Sequence, residues 1–136
     1  MNIGLRNQIK TNVLDLKRGD VLNIELPLTL NDLVSGHLLS GHVDGVARVK
    51  SIYKQKGSIR FGLGFNYSGW KKYIVNKGSI AVNGISLTVN NPGSSTFFVE
   101  VLPITFEKTN LKYLRTGERV NVELDLVGKY LYNQIP

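Results

Sequence analysis

Two hydroxyls stand two residues apart, at Ser86 and Thr88, inside the alternating run Ile85-Ser86-Leu87-Thr88-Val89. In a strand that spacing turns both hydroxyls to one side and Ile85, Leu87 and Val89 to the other. Such a pair can donate to and accept from the polar edge of a ligand, although Ser and Thr also simply suit a β surface. Lys77, just before Gly78, offers a cation at the entrance to the same run, and it reads equally as an exposed Lys at a strand start. His37 and His42 are the only histidines. An imidazole can orient a hydroxyl or carry a proton near neutral pH, but two histidines alone cannot build a multi-histidine metal centre, so no metal site is expected. The absence of Cys excludes a thiol nucleophile, thiolate metal sites and a disulfide framework.

These residues must be positioned by a small fold. A chain of 136 residues makes one domain, or one domain plus a fragment of another. With 42% apolar and 20% charged residues the composition is globular. The 17 Lys and Arg against 10 Asp and Glu leave a net charge of +7, which admits nucleic acid, an anionic surface or an anionic ligand. Apart from Lys71-Lys72, however, the basic residues are scattered, as on an ordinary solvated surface. No apolar run reaches the length of a membrane span, and the first ten residues lack the apolar region of a signal peptide, so the expected location is the cytoplasm.

Alternation dominates the chain and predicts a mostly β fold. Val120-Asn121-Val122-Glu123-Leu124-Asp125-Leu126 alternates without a fault, and residues 21–26, 46–52, 58–65 and 96–102 are further expected strands. Gly62 and Gly64 leave one face of their strand nearly bare, which would permit close approach of a backbone or a ligand. Asn83-Gly84 between two alternating runs is the preferred two-residue hairpin turn. Short helical turns are expected at residues 30–34, 69–75 and 103–108, with Pro103 suited to a first helical position. Several short strands at this spacing suggest a closed barrel.

The chain also repeats itself. Lys10-Thr11-Asn12 recurs as Lys108-Thr109-Asn110, an offset of 98 residues, and at that offset Leu16, Gly19, Asn23, Glu25, Leu26 and Leu28 match Leu114, Gly117, Asn121, Glu123, Leu124 and Leu126. The second copy closes a barrel that begins near Gly41, so the first copy's barrel would begin well before Met1. The expectation is that residues 1–35 are the closing strand and linker of a truncated amino-terminal barrel, and residues 36–132 one complete barrel.

Three motifs follow in order: Gly36-His37-Leu38-Leu39-Ser40-Gly41-His42-Val43-Asp44-Gly45, then Lys77-Gly78-Ser79-Ile80-Ala81-Val82-Asn83-Gly84-Ile85-Ser86-Leu87-Thr88-Val89, then Val101-Leu102-Pro103-Ile104-Thr105-Phe106-Glu107-Lys108-Thr109-Asn110. With the closing strand they resemble the carboxyl-terminal half of riboflavin synthase of the α-chain type, a lumazine-binding family, over nearly the whole chain. The resemblance implies an all-β, six-stranded antiparallel Greek-key barrel with one or two short helices. It implies a transferase of riboflavin biosynthesis that dismutates two 6,7-dimethyl-8-ribityllumazines to riboflavin and 5-amino-6-ribitylaminouracil, with no cofactor. Partners would be that lumazine or riboflavin, and a homo-oligomer (dimer or trimer) or another lumazine-binding barrel.

The resemblance also assigns residues. Ser86, Leu87 and Thr88 would contact the ring edge, and Lys77 the ribityl chain or the substrate edge. Gly41, His42 and Val43 would form the pocket floor. Glu100, Val101, Leu102, Pro103, Ile104 and Thr105 would make the other wall, with Leu102 supplying apolar contact and Thr105 a hydroxyl. His42 is expected to bond to Thr88 and orient it, so that His42, Ser86 and Thr88 form the catalytic set. His37, in the linker, is expected to be structural, and Asp125 is a possible polar partner. The family's Phe-Thr-Gly start and first pocket hairpin are absent, so the chain alone is expected to be weakly active or inactive. The alternatives are a non-catalytic lumazine or riboflavin carrier and, remotely, a β-barrel that binds single-stranded nucleic acid through Tyr53, Tyr67, Trp70 and Tyr73. The Arg-x-Tyr-Ser/Thr signature of the ferredoxin-reductase-like flavin barrel does not occur.

Overall fold

The computed structural model of the chain describes residues 10–134. Six strands, β1 (Gly45–Gln55), β2 (Ser58–Gly64), β3 (Ser79–Val82), β4 (Ile85–Asn90), β5 (Thr96–Val101) and β6 (Arg119–Leu124), close into a barrel in the order β1-β2-β5-β4-β3-β6. Every described pairing is antiparallel. β6 closes the ring by pairing with β1 on one side and β3 on the other. Two helices, α1 (Pro103–Lys108) and α2 (Leu126–Gln134), lie outside the strands. Closure removes the free edges that six short strands would otherwise expose.

The alternation read from sequence sorts the side chains. In β6, Val120, Val122 and Leu124 are buried, and in β4 so are Leu87 and Val89. Phe61, Leu63, Phe97, Val99 and Val101 fill the middle of the barrel. The space among Phe61, Leu63, Val82, Leu87 and Val99 is too small for a water molecule, so no ligand can sit inside the barrel. Any binding surface must lie on its outer face.

The Asn83-Gly84 turn forms as the sequence predicts. Asn83 has φ 49° and Gly84 φ 81°, the left-handed pair of a type I′ turn whose twist matches the strands it joins. Val82 pairs with Ile85 across it. Pro103 occupies the first turn of α1, where its missing N–H costs nothing.

Four expectations change. Residues 21–26 make no strand, and their apolar residues are exposed. Alternation specifies a face, but a strand also needs a neighbouring edge, and the edges of β1 and β3 are already taken by β6. Residues 30–34 form a turn and bend rather than a helical turn, because the Asp32 carboxylate takes the Thr29 amide at 2.6 Å and ends the chain's curl there. The same Thr29 hydrogen bonds hold the Asp32 carboxyl below its ordinary pKa. The bare face at Gly62 and Gly64 is closed by the barrel's own side chains. A Cβ at Gly62 would collide with Ser51 and Phe98, and one at Gly64 with Lys50. At residues 69–75 the helical turn is a short 3-10 turn, Ser68–Trp70, which buries Trp70.

The repeat holds at the level of individual atoms. The 3-10 turns Val13–Asp15 and Asn110–Tyr113 occupy matching places, and Gly19 and Gly117 both have positive φ, 99° and 96°. The Lys17 amide donates to Asp20 Oδ2 at 2.8 Å, and the Arg115 amide to Glu118 Oε2 at 2.8 Å.

Candidate ligand-binding site

The β3–β4 hairpin presents its outer row to the site. Ser86 is half-buried and Thr88 exposed, on the face opposite Leu87 and Val89. Lys77 Nζ donates to Asn90 Oδ1 at 2.8 Å, at the far end of the same row. Thus Lys77 lies along the hairpin but away from Ser86, at the end where the strand pairs run out.

The loop before β1 folds onto Ser86. Gly36 takes φ 97°, and a Cβ there would lie 2.6 Å from Ser86 Oγ, so only glycine lets the loop approach this closely. The approach brings His37 onto the hydroxyl: its Nδ1 lies 2.7 Å from Ser86 Oγ, and its backbone amide donates to the same oxygen at 3.3 Å. The hydroxyl has one donor and two acceptor sites, so it can accept from the amide and pair with Nδ1 at the same time. His37 Nε2 is buried and has no hydrogen-bond partner among the described residues.

This corrects the expectation for the two histidines. His42 is exposed, its Nδ1 lies 3.1 Å from Ser40 Oγ, and it makes no hydrogen bond to Thr88 among the described residues. His37 is the histidine that meets a hairpin hydroxyl. The first motif supplies both histidines and the second both hydroxyls, and the pairing is decided by the loop's left-handed turn at Gly36.

Glu123 fixes the rest of the loop. This carboxylate is 7% exposed and takes three donors: the Ser40 amide at 2.7 Å, the Ser40 hydroxyl at 2.8 Å and the Gly41 amide at 3.0 Å. Bonds to an ionised acceptor are about twice as strong as neutral ones. Sequence reasoning missed Glu123 as a site residue, because its place in the alternation put it on the polar face of a strand. The signal was the acid itself, next to a glycine-bearing loop that had to pack somewhere.

Between this loop, the hairpin turn, α1 and residues 21–35 runs an open groove of about 1330 Å³. Ser86, Ile85, His37, Gly41, Thr105 and Glu123 line it, with Ile24 and Leu26 on the opposite bank. A groove with apolar banks and a few convergent polar groups is the usual form of a small-ligand site. Of the expected site residues, Gly41, Ser86 and Thr105 reach the groove. Leu87 and Val101 point into the core, so only their backbone can meet a ligand. Thr88, Glu100, Leu102, Pro103 and Ile104 are exposed on the outer surface around it, and Val43 is half-buried. Asp125 is used elsewhere: its Oδ1 accepts the Val127 amide at 3.0 Å and its carbonyl the Lys129 amide at 3.1 Å, which caps α2. Trp70 stacks on Tyr67 at 5.0 Å and is buried, so it is unavailable to stack on a base. No group of three or more His, Cys, Asp or Glu that could hold a metal occurs among the described residues, and no described helix is long and apolar enough to cross a membrane.

Comparison with known proteins agrees with this architecture. The chain is 35% identical over 122 residues to riboflavin synthase of Bacillus subtilis, covering 90% of this chain and 56% of that protein. It is 39% identical over 115 residues to riboflavin synthase of Escherichia coli, covering 85% and 54% respectively. The chain thus spans about half the length of the curated relatives it matches. A solved structure of LumP complexed with riboflavin superposes with a TM-score of 0.79 at 24% identity, over 88% of this chain and 64% of that one. LumP complexed with 6,7-dimethyl-8-(1'-D-ribityl) lumazine gives 0.75 at 24% identity, over 87% and 63%. The model of the lumazine binding domain matches residues 40–125, and with a closed six-stranded barrel over that span the chain belongs to the lumazine-binding domain family.

Proposed function

We propose that the chain binds 6,7-dimethyl-8-ribityllumazine or riboflavin in the outer groove, as the carboxyl-terminal part of a riboflavin synthase-type transferase. The observation that carries this reading is the His37–Ser86 pair at 2.7 Å, set beside an apolar hairpin on a lumazine-type barrel. A lumazine ring offers carbonyl and ring-nitrogen edges along a flat apolar body. The Ser86 and Thr105 hydroxyls suit the edges, and Ile85 suits the ring face. The exposed row of Thr88, Glu100 and Leu102 extends the wall, with Pro103 and Ile104 at its end. Lys77 and His42 lie outside the groove lining, and in this reading they make no contact with the ring. In this reading Ser86 and Thr105 are the hydroxyls that touch substrate in the groove, with Thr88 on the exposed wall beside it.

Dismutation requires two lumazines, one giving up a four-carbon unit and one accepting it. It begins with proton loss from an acidic methyl group on the ring, for which modest base assistance is enough. The Ser86 hydroxyl, held by His37, is the group best placed to assist. One complete barrel supplies one groove, so we expect the chain alone to turn over slowly or not at all and to need a second lumazine-binding barrel. Residues 1–35 are then the closing strand and linker of such a barrel. The reading places the protein in the cytoplasm, where no cofactor is needed.

A carrier reading is favoured by one observation: the barrel superposes on LumP, whose structures hold riboflavin or the lumazine. Turnover separates the two. A single-turnover assay with the dimethyl lumazine should give saturable fluorescence quenching with little riboflavin. Robust riboflavin formation overturns the low-activity claim, and no quenching overturns the ligand assignment.

A further inference from the structure

We propose that Asp44 and Lys129 are positioning residues for the groove, so that the docking of α2 on the barrel sets how firmly the loop at residues 36–44 holds a ligand. This deepens the function proposed above and rests on it.

The loop is fastened at three points. His37 meets Ser86 Oγ at 2.7 Å, and Glu123 takes the Ser40 and Gly41 amides. The third point is Asp44, whose amide donates to the Val122 carbonyl at 2.9 Å and whose Oδ2 accepts the Leu124 amide at 2.7 Å. The first two points are made within the barrel and its loop. Asp44 also reaches outside them, because the same Oδ2 lies 2.6 Å from Lys129 Nζ on α2. Both side chains are only 25% exposed, so the pair is partly shielded from water and stronger than a fully exposed one. Three residues of chain span about 10 Å at most, which leaves little slack between Asp44 and the Gly41 amide. Ser40 and Gly41 in turn line the groove.

Among the described residues α2 is lightly held. It buries no residue of its own, and a helix of nine residues is marginal without tertiary contacts. Besides Lys129, its hold on the barrel is Tyr132, whose ring meets Tyr73 edge-on at 5.6 Å. Lys72 Nζ lies over both rings, 4.3 Å from Tyr132 and 4.9 Å from Tyr73. Between these holds the helix stands off the barrel over a recess of about 400 Å³, lined by Asp44, Trp70, Tyr73, Leu124, Lys129 and Asn133. A helix held in this way can shift as a unit, and Lys129 carries the shift to Asp44. A half-buried carboxylate that loses its cation is drawn toward water, which pulls against its bond to the Leu124 amide and loosens the loop's third anchor.

The test compares the full wild-type chain with Lys129→Met, Lys129→Arg and Tyr132→Ala. Amide hydrogen exchange of the ligand-free chain reads the loop, and fluorescence titration with 6,7-dimethyl-8-ribityllumazine reads the groove. Lys129→Met should speed exchange at Ser40 and Gly41 about fivefold and weaken lumazine binding by a similar factor, as for loss of a partly shielded ion pair. Exchange in β2 and β5 should stay as it is, which a general loss of stability would not allow. Lys129→Arg should keep the wild-type values. Tyr132→Ala, which frees α2 at its other hold, should move the same two amides in the same direction. Unchanged exchange at Ser40 and Gly41 in Lys129→Met, or an equal rise throughout the barrel, overturns the proposal, as does faster loop exchange with unchanged lumazine affinity. An absence of quenching by the wild-type chain overturns the function proposed above, and the exchange result then decides the coupling of α2 to the loop by itself.

Discussion

The backbone amide of Asn110 donates to Oδ1 of Asn23 at 2.8 Å. The counterpart of this bond in the repeat is the Asn12 amide donating to Asn121 Oδ1, also at 2.8 Å. Asn12 Nδ2 donates to the Arg119 carbonyl at 2.9 Å, and Asn110 Nδ2 to the Val21 carbonyl at 3.3 Å. Each copy's turn thus docks on the other copy's strand, which is the reciprocity of an isologous, two-fold contact. Residues 12–23 are held to the barrel by this exchange rather than by sheet pairing.

The two halves of the exchange should differ in their effect on stability. Asn121→Ala strands the Asn12 amide and the buried Thr11 hydroxyl, which both rely on Asn121 Oδ1. Leaving buried donors unmade costs about 1–3 kcal/mol. Asn23→Ala exposes its partners to water and should cost less, about 1 kcal/mol or below. Urea midpoints of the two variants measure the difference, and equal losses would show that both ends are equally buried in solution.

Gly36→Ala should disturb the site more than the fold. Its φ of 97° and the 2.6 Å approach of a Cβ to Ser86 Oγ act together, and strain of this kind costs about 1–3 kcal/mol. The strain sits in a loop, so the loop can relax by leaving Ser86. The expected outcome is a small shift in thermal midpoint and a clear loss of lumazine affinity, read by fluorescence titration.

Glu123→Ala removes the acceptor of three loop hydrogen bonds. Hydrogen bonds to charged groups contribute about 1.5–3 kcal/mol each at most, and release of the Ser40 and Gly41 amides to solvent limits the total. We expect a loss of about 2 kcal/mol by denaturation, together with faster amide exchange at Ser40 and Gly41. Unchanged exchange at those amides would contradict the clasp.

Much of the barrel was legible because its signals are local. Asn83-Gly84 forces a two-residue turn, and the alternation from Val120 makes a one-sided strand as far as Leu124, where α2 takes over at Leu126. Residues 21–26 carry the same alternation and still make no strand, because pairing depends on an edge that local pattern does not supply. The site was legible by residue type and not by partnership. Ser86 lay in view, but whether His37 or His42 would reach it depended on the positive φ of Gly36, and Glu123 became buried only because the loop at Ser40 and Gly41 covers it. Asp125 had the right chemistry for a site and the wrong place, at the start of α2.

The central claim is that Ser86, held by His37, forms the ligand-binding edge of the outer groove. Fluorescence titration of 6,7-dimethyl-8-ribityllumazine against the wild-type chain and Ser86→Ala tests it most directly. The account predicts saturable quenching at one ligand per chain, weakened about two- to tenfold in Ser86→Ala, as for one hydrogen bond. An absence of saturable quenching, or equal affinity in the two proteins, would contradict it.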